Sequence, residues 1–166
     1  MNIDFLKKLM LFLVFCLVQV LVLGHIHLLG VATPLLYVYF ILLMPRNYPK
    51  WGILLWAFCM GVIIDTFSNT AGVASASLTL IGALQPYVLE AFVPRDSADD
   101  LVPSHKSLGA GAFMYYSFLI TLIYCLLFFT LEMFSFFNLL FWAECVAGSL
   151  VITLLLILVV ENVRKV

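Results

Sequence analysis

Long apolar runs recur along this chain with only short polar interruptions, an alternation that excludes most folds open to a soluble domain. At about 1.5 Å per helical residue against a hydrocarbon core of roughly 30 Å, membrane spans are predicted over 4–23, 31–44, 51–67, 72–93, 111–131 and 139–160. The composition agrees: 65% of the residues are hydrophobic and 10% charged, where an ordinary soluble domain is roughly 45–50% apolar. The expected class is an all-α integral membrane protein, a six-transmembrane-helix bundle in one domain. The six spans leave no loop large enough for a second one.

The first run follows Lys7 and Lys8 and leads into GHIHLLG rather than a small-residue cleavage site, so it reads as a retained span and not a signal peptide. The second is short. Pro34 suits a first helical turn, but a helix from there to Met44 would cover only about half of the core. That segment is expected to tilt, to lie tucked inside the bundle, or to be supplemented by residues 26–29 re-entering the membrane.

Charge supplies the topology. With six spans, Lys7, Lys8, Arg46, Lys50, Arg95, Lys106, Arg164 and Lys165 all fall on one side, and these are all 8 Lys and Arg of the chain. The other side carries His25, His27, Asp65 and Glu132, so both termini and the hydrophilic loop 94–110 are expected to be cytoplasmic. Trp51 fits the inner interface. A net charge of −1 gives no basic field for nucleic acid. Cys16, Cys59, Cys125 and Cys145 lie in apolar runs without C-x-x-C spacing and read as buried reduced thiols. No phosphate-binding glycine loop, H-E-x-x-H or G-x-S-x-G is present, and no internal repeat stands out. Activity must therefore reside in the bundle or its rims, as in-membrane chemistry, transport or binding.

The most specific stretch is 61–97, GVIIDTFSNTAGVASASLTLIGALQPYVLEAFVPRDS, read as a helical hairpin. Ser68, Asn69 and Thr70 form a polar turn whose side chains are expected to accept from the free N–H groups of a helix beginning near Gly72. Asp65, at the outer end of the third span, either accepts hydrogen bonds from that turn or meets a partner or ligand. In the returning helix Gly72, Ala76, Thr79, Ala83 and Pro86 recur every three or four residues, with Ser75 and Gly82 beside them. Such a face packs either inside the bundle or against a foreign transmembrane helix.

Other candidates are weaker. Gln85 and Glu90 lie in the inner half of the fourth span, Glu90 near Arg95. Glu144 is about 9 Å deep in the sixth, where it needs a proton, water, a polar partner or a cation from another chain, and a carboxylate pair with Asp65 stays open. Ala143, Ala147 and Gly148 repeat the small-residue spacing. His25 and His27 read as interfacial residues more readily than as metal ligands, and no metal or cofactor is expected. Phe128, Phe129, Phe134, Phe136, Phe137, Phe141 and Trp142 read as a lipid anchor around the last outer turn.

At the hairpin the chain resembles the rod shape-determining protein MreD family, small multispan inner-membrane proteins of bacterial cell-wall elongation. The resemblance rests on G-x-x-x-D followed by S-N-T, a glycine and a Ser/Ala-rich helix, here Gly61, Asp65, Ser68, Asn69, Thr70, Gly72, Ser75 and Ser77, continued by QPYVLEAFVPRDS. Ala71 stands where members often have Pro. The resemblance implies a non-enzymatic scaffold in the bacterial inner membrane that binds MreC, the single-span periplasmic scaffold, in a complex with MreB filaments, the RodA polymerase and its transpeptidase partner. It also implies a bundle similar to the substrate-binding subunits of energy-coupling vitamin transporters. A small-ligand-binding transporter subunit with a pocket at Asp65 or Glu144 is accordingly the rival expectation.

Overall fold

The computed structural model describes residues 3–23, 32–94, 97, 100–134 and 138–164. Those residues form helices α1 (Ile3–Leu21), α2 (Val38–Leu42), α3 (Lys50–Ser68), α4 (Val73–Phe92), α5 (His105–Leu108), α6 (Ala110–Met133) and α7 (Leu139–Arg164). His25, His27, Arg95, Lys165, Phe136 and Phe137 lie outside the described residues.

The long helices pack in the order α1, α3, α4, α6, α7, and α2 sits among them against α1, α4 and α6. The second run forms a shorter helix than the expected 31–44. Pro34 is not in a helix, and the helical part of 31–44 shrinks to the 5 residues of α2, about 8 Å of rise. All five are buried, so the tucked position is the one adopted.

Non-helical backbone in a dry interior must find partners for its N–H and C=O groups. Around α2, side chains of the neighbouring helices supply them. Thr33 N–H donates to Ser149 Oγ (3.0 Å) and Leu35 N–H to Thr153 Oγ1 (3.0 Å), both on α7. Gln19 Nε2 of α1 donates to the Pro34 carbonyl (2.9 Å). At the other end of α2, Gln85 Nε2 donates to the Met44 carbonyl (3.3 Å) and to Tyr116 Oη (3.0 Å), while the Tyr116 hydroxyl donates to the Leu42 carbonyl (3.4 Å). Tyr37 shares a hydrogen bond with Tyr124, and the Tyr39 hydroxyl donates to Glu161. The expected intramembrane polar residue Gln85 is thus a strut holding α2 to α4 and α6.

Buried polar side chains are set within an apolar core, and large apolar side chains face outward. Gln19, Asp65, Gln85, Thr121, Ser149, Thr153 and Glu161 are buried, while Leu13, Leu17, Leu55, Phe58, Phe118, Val151 and Leu155 are exposed. In water those exposed side chains would form apolar patches of the kind that aggregate; against lipid tails they cost nothing. Cys16, Cys125 and Cys145 are buried free thiols, whereas Cys59 is exposed among the apolar residues of α3, contrary to expectation. The aromatic series divides likewise: Phe128 and Phe129 are buried, and Phe134 and Phe141 face outward.

Candidate functional site

The α3–α4 hairpin is built around one close approach and one carboxylate. A Cβ placed on Gly61 would stand 2.2 Å from Ser75 Cα and 2.7 Å from Ser75 N, so only glycine lets the two helix backbones meet there. One turn further along α3 on the same face, Asp65 is buried and accepts from Ala74 N–H (2.9 Å), Ser75 N–H (2.8 Å) and the Thr70 hydroxyl (2.6 Å). These amides belong to the first turn of α4, whose orphan donors and positive dipole end favour a carboxylate. The cap is therefore delivered across the hairpin by Asp65, not by the turn residues.

That corrects the expected capping by Ser68, Asn69 and Thr70. Gly72, in the N-cap position, contributes no side chain, and Thr70 donates to Asp65 instead of accepting from α4. Asn69 takes the left-handed conformation (φ 55°) that ends α3, its N–H returning to the Asp65 carbonyl. Asparagine tolerates that region better than most residues. Gly72 is also left-handed (φ 82°), where any side chain is strained. Two left-handed residues thus turn the chain between α3 and α4.

The small-residue face of α4 divides. Ser75 and Gly82 point inward against α3, with Ala57 and Ile53 the nearest neighbours of Gly82. Ala76 and Ala83 remain exposed, flanked by exposed Leu80, Leu84 and Tyr87, and Thr79 is half-buried with its hydroxyl donating to the Ser75 carbonyl (2.6 Å). The α3–α4 turn forms an open groove of about 400 Å³, lined by Asp65, Asn69, Thr70, Gly72 and Ser75 together with Val62, Thr66 and Ala71. Ser68 does not line it.

Glu144 is exposed on α7, with no hydrogen-bond or ion-pair partner among the described residues, and Asp65 finds its partners within its own hairpin. The carboxylate pair is not formed. Ala143 and Ala147 are likewise exposed, while Gly148 packs against Ala32, 2.9 Å separating a Cβ built on the glycine from the alanine Cβ.

Two important polar residues escape the sequence reading. Glu161, buried near the end of α7, accepts from Tyr39, from His105 N–H at the start of α5 (3.1 Å), and pairs with Arg164 (3.5 Å). Its signal was an acid at i−3 from an arginine at the end of an apolar helix. Gln19 is buried, and its Oε1 has no hydrogen-bond partner among the described residues. It lines a cavity of about 250 Å³ with Thr33, Tyr37, Ser68, Thr70 and Glu132, at the bundle end nearest the α3–α4 turn. Its signal was a lone amide in the run LVQVLV.

Among the described residues, a helical bundle with large apolar side chains facing outward and three helices, Lys50–Ser68, Ala110–Met133 and Leu139–Arg164, long and apolar enough to cross a membrane is of the helical membrane-protein class. Comparison with protein-family models, curated proteins and solved structures gave no match for the chain.

Proposed function

We propose that this protein is a non-enzymatic scaffold of the bacterial inner membrane, of the MreD type, which holds the transmembrane helix of an MreC-type partner and the segment just outside it. In this reading the chain crosses six times with both termini in the cytoplasm, residues 32–44 making the second crossing in largely non-helical form. Support for the shared side comes from Lys7, Lys8, Pro45, Asn47, Asp100 and Arg164, which line one groove at the same end of the bundle. The polymerase, its transpeptidase and MreB filaments would join through the same assembly.

The observation that carries the partner reading is the exposed Ala76–Ala83 face on α4, the helix whose N-terminal residues Gly72 and Ser75 line the groove at the turn. Small side chains let a second helix approach closely, and in lipid that packing replaces the hydrophobic drive. Asp65 and Gly72 are poor probes of it, one being a cap and the other conformationally required. Ala76→Leu with Ala83→Leu is the cleaner test. Co-purification with an MreC-type protein should fall roughly tenfold, as small-to-large changes at packed interfaces cost about 1–3 kcal/mol, with the melting temperature unchanged. Full recovery of the partner would remove this face from the reading.

Gln19 Oε1, which has no partner among the described residues and stands beside its cavity, favours a second reading, a subunit that binds a small hydrogen-bond donor at the outer end. About 250 Å³ is below the roughly 300–1,000 Å³ of most ligand sites and suits a few waters. Mass spectrometry of protein taken directly from membranes decides: a stoichiometric small molecule lost in Gln19→Leu supports a ligand, and none in the wild type leaves a hydrated cavity.

A further inference from the structure

The buried acids Asp65 and Glu161 are both met inside the bundle, Asp65 by two amides and a hydroxyl, Glu161 by Tyr39, a backbone N–H and Arg164. Glu144 is not. It stands exposed on α7 with no hydrogen bond or ion pair among the described residues, roughly 8 Å along the helix from its start at Leu139. Apolar surface surrounds it on both sides. Leu139, Leu140 and Phe141 are exposed before it and Val151 and Leu155 after it, so the acid lies within the apolar belt and not at its polar edge. Leu140, Glu144, Ala147, Val151 and Leu155 recur every three or four residues and form one outward face of α7. Arg164, on the same helix, is roughly 30 Å further along and is paired with Glu161.

We infer that this face docks a transmembrane helix of another chain, one that carries a lysine or arginine at the depth of Glu144. A carboxylate among lipid tails is costly unless a cation or a hydrogen-bond donor meets it, and none of the described residues does so. Helices in lipid associate through close packing and polar pairing, without a hydrophobic drive. Ala147, one turn from the acid, lets a second backbone approach, and Glu144 supplies the pairing. Charge decides between the occupants. A second copy lying in the same sense would bring another Glu144 and no Lys or Arg to this depth, because Lys7, Lys8, Lys50, Lys106 and Arg164 all stand at the other end of the described helices. Lipid tails cover the apolar flanks and leave the acid unmet. A foreign helix with a cation in its outer third satisfies both. The face belongs to a different helix from Ala76 and Ala83, and the inference stands whether or not those residues meet a partner.

The test uses the full chain in phosphatidylcholine vesicles, with energy transfer to labelled single-span peptides of leucine and alanine as the readout. One peptide carries a lysine in its outer third, a second carries the lysine in its inner third, and a third has leucine at both positions. The outer-lysine peptide should associate with the wild type about tenfold more tightly than the all-apolar one, the scale of polar contacts between helices in lipid. The inner-lysine peptide should show no such gain. Glu144→Leu should abolish the preference for the outer lysine without lowering the melting temperature, since the side chain makes no hydrogen bond or ion pair within the described residues. Val151→Trp, at an exposed position on the same face, should weaken the outer-lysine peptide by obstructing its approach. Equal association of the outer-lysine and all-apolar peptides with the wild type, or a lysine preference that survives in Glu144→Leu, would each overturn the docking site. Energy transfer between two labelled copies of the full chain, lost in Glu144→Leu, would overturn it in favour of a self-association face.

Discussion

Gly61→Ala should destabilise the protein by about 3 kcal/mol or more, the upper end of what overpacking a core costs. The added methyl would sit 2.2 Å from Ser75 Cα, and both clashing groups belong to helix backbone, so no side-chain rotation relieves it. α3 and α4 would have to separate, which would also lengthen the Asp65 bonds to Ala74 and Ser75. Denaturant titration in mixed micelles, read by helical circular dichroism or by loss of monodisperse protein, measures the effect. Gly111→Ala is the control, because nothing lies within 4 Å of its new methyl and alanine favours the helix by up to about 1 kcal/mol. If both variants unfold at the same denaturant concentration, the backbone contact at Gly61 is not what holds the hairpin.

Asp65→Ala should cost about 3 kcal/mol. It leaves two amides of the first turn of α4 and the Thr70 hydroxyl without their acceptor, and hydrogen bonds to a charged group are worth about 1.5–3 kcal/mol against about 1 for neutral ones. Asp65→Asn retains one acceptor oxygen and should recover about half of the loss. Faster amide hydrogen exchange at Ala74 and Ser75 in Asp65→Ala, with exchange in α6 unchanged, would locate the damage; wild-type exchange at both amides would refute the cap. Both changes act on Ser75, so the Gly61→Ala/Asp65→Ala double variant should lose less than the sum of the singles.

Gly61, Asp65 and Gly72 read together as a hairpin signature, and the structure gives each a separate mechanical role, respectively close approach, cap and left-handed turn. Those roles would impose the pattern with or without a partner. Ala76 and Ala83 lie one helix face over and are exposed, so substitution there is expected to leave the hairpin intact.

Hydropathy is a property of each segment, which is why the helical class, the apolar exterior and the long helices could be read from residue order alone. The hairpin turn was legible for the same reason, since Asn69 and Gly72 act within a few residues of themselves. Small residues look alike whichever way they point, so only packing decided that Gly61, Ser75 and Gly82 meet inside while Ala76 and Ala83 do not. The shortening of α2 was likewise invisible locally: its flanks are held by Gln19, Gln85, Ser149 and Thr153, and Ser149 and Thr153 lie 116 and 118 residues from the amides they accept from. Chain order fixes which residues prefer oil, but whether a buried backbone group can stay non-helical depends on which distant side chain arrives to bond it. That is settled only when the helices come together.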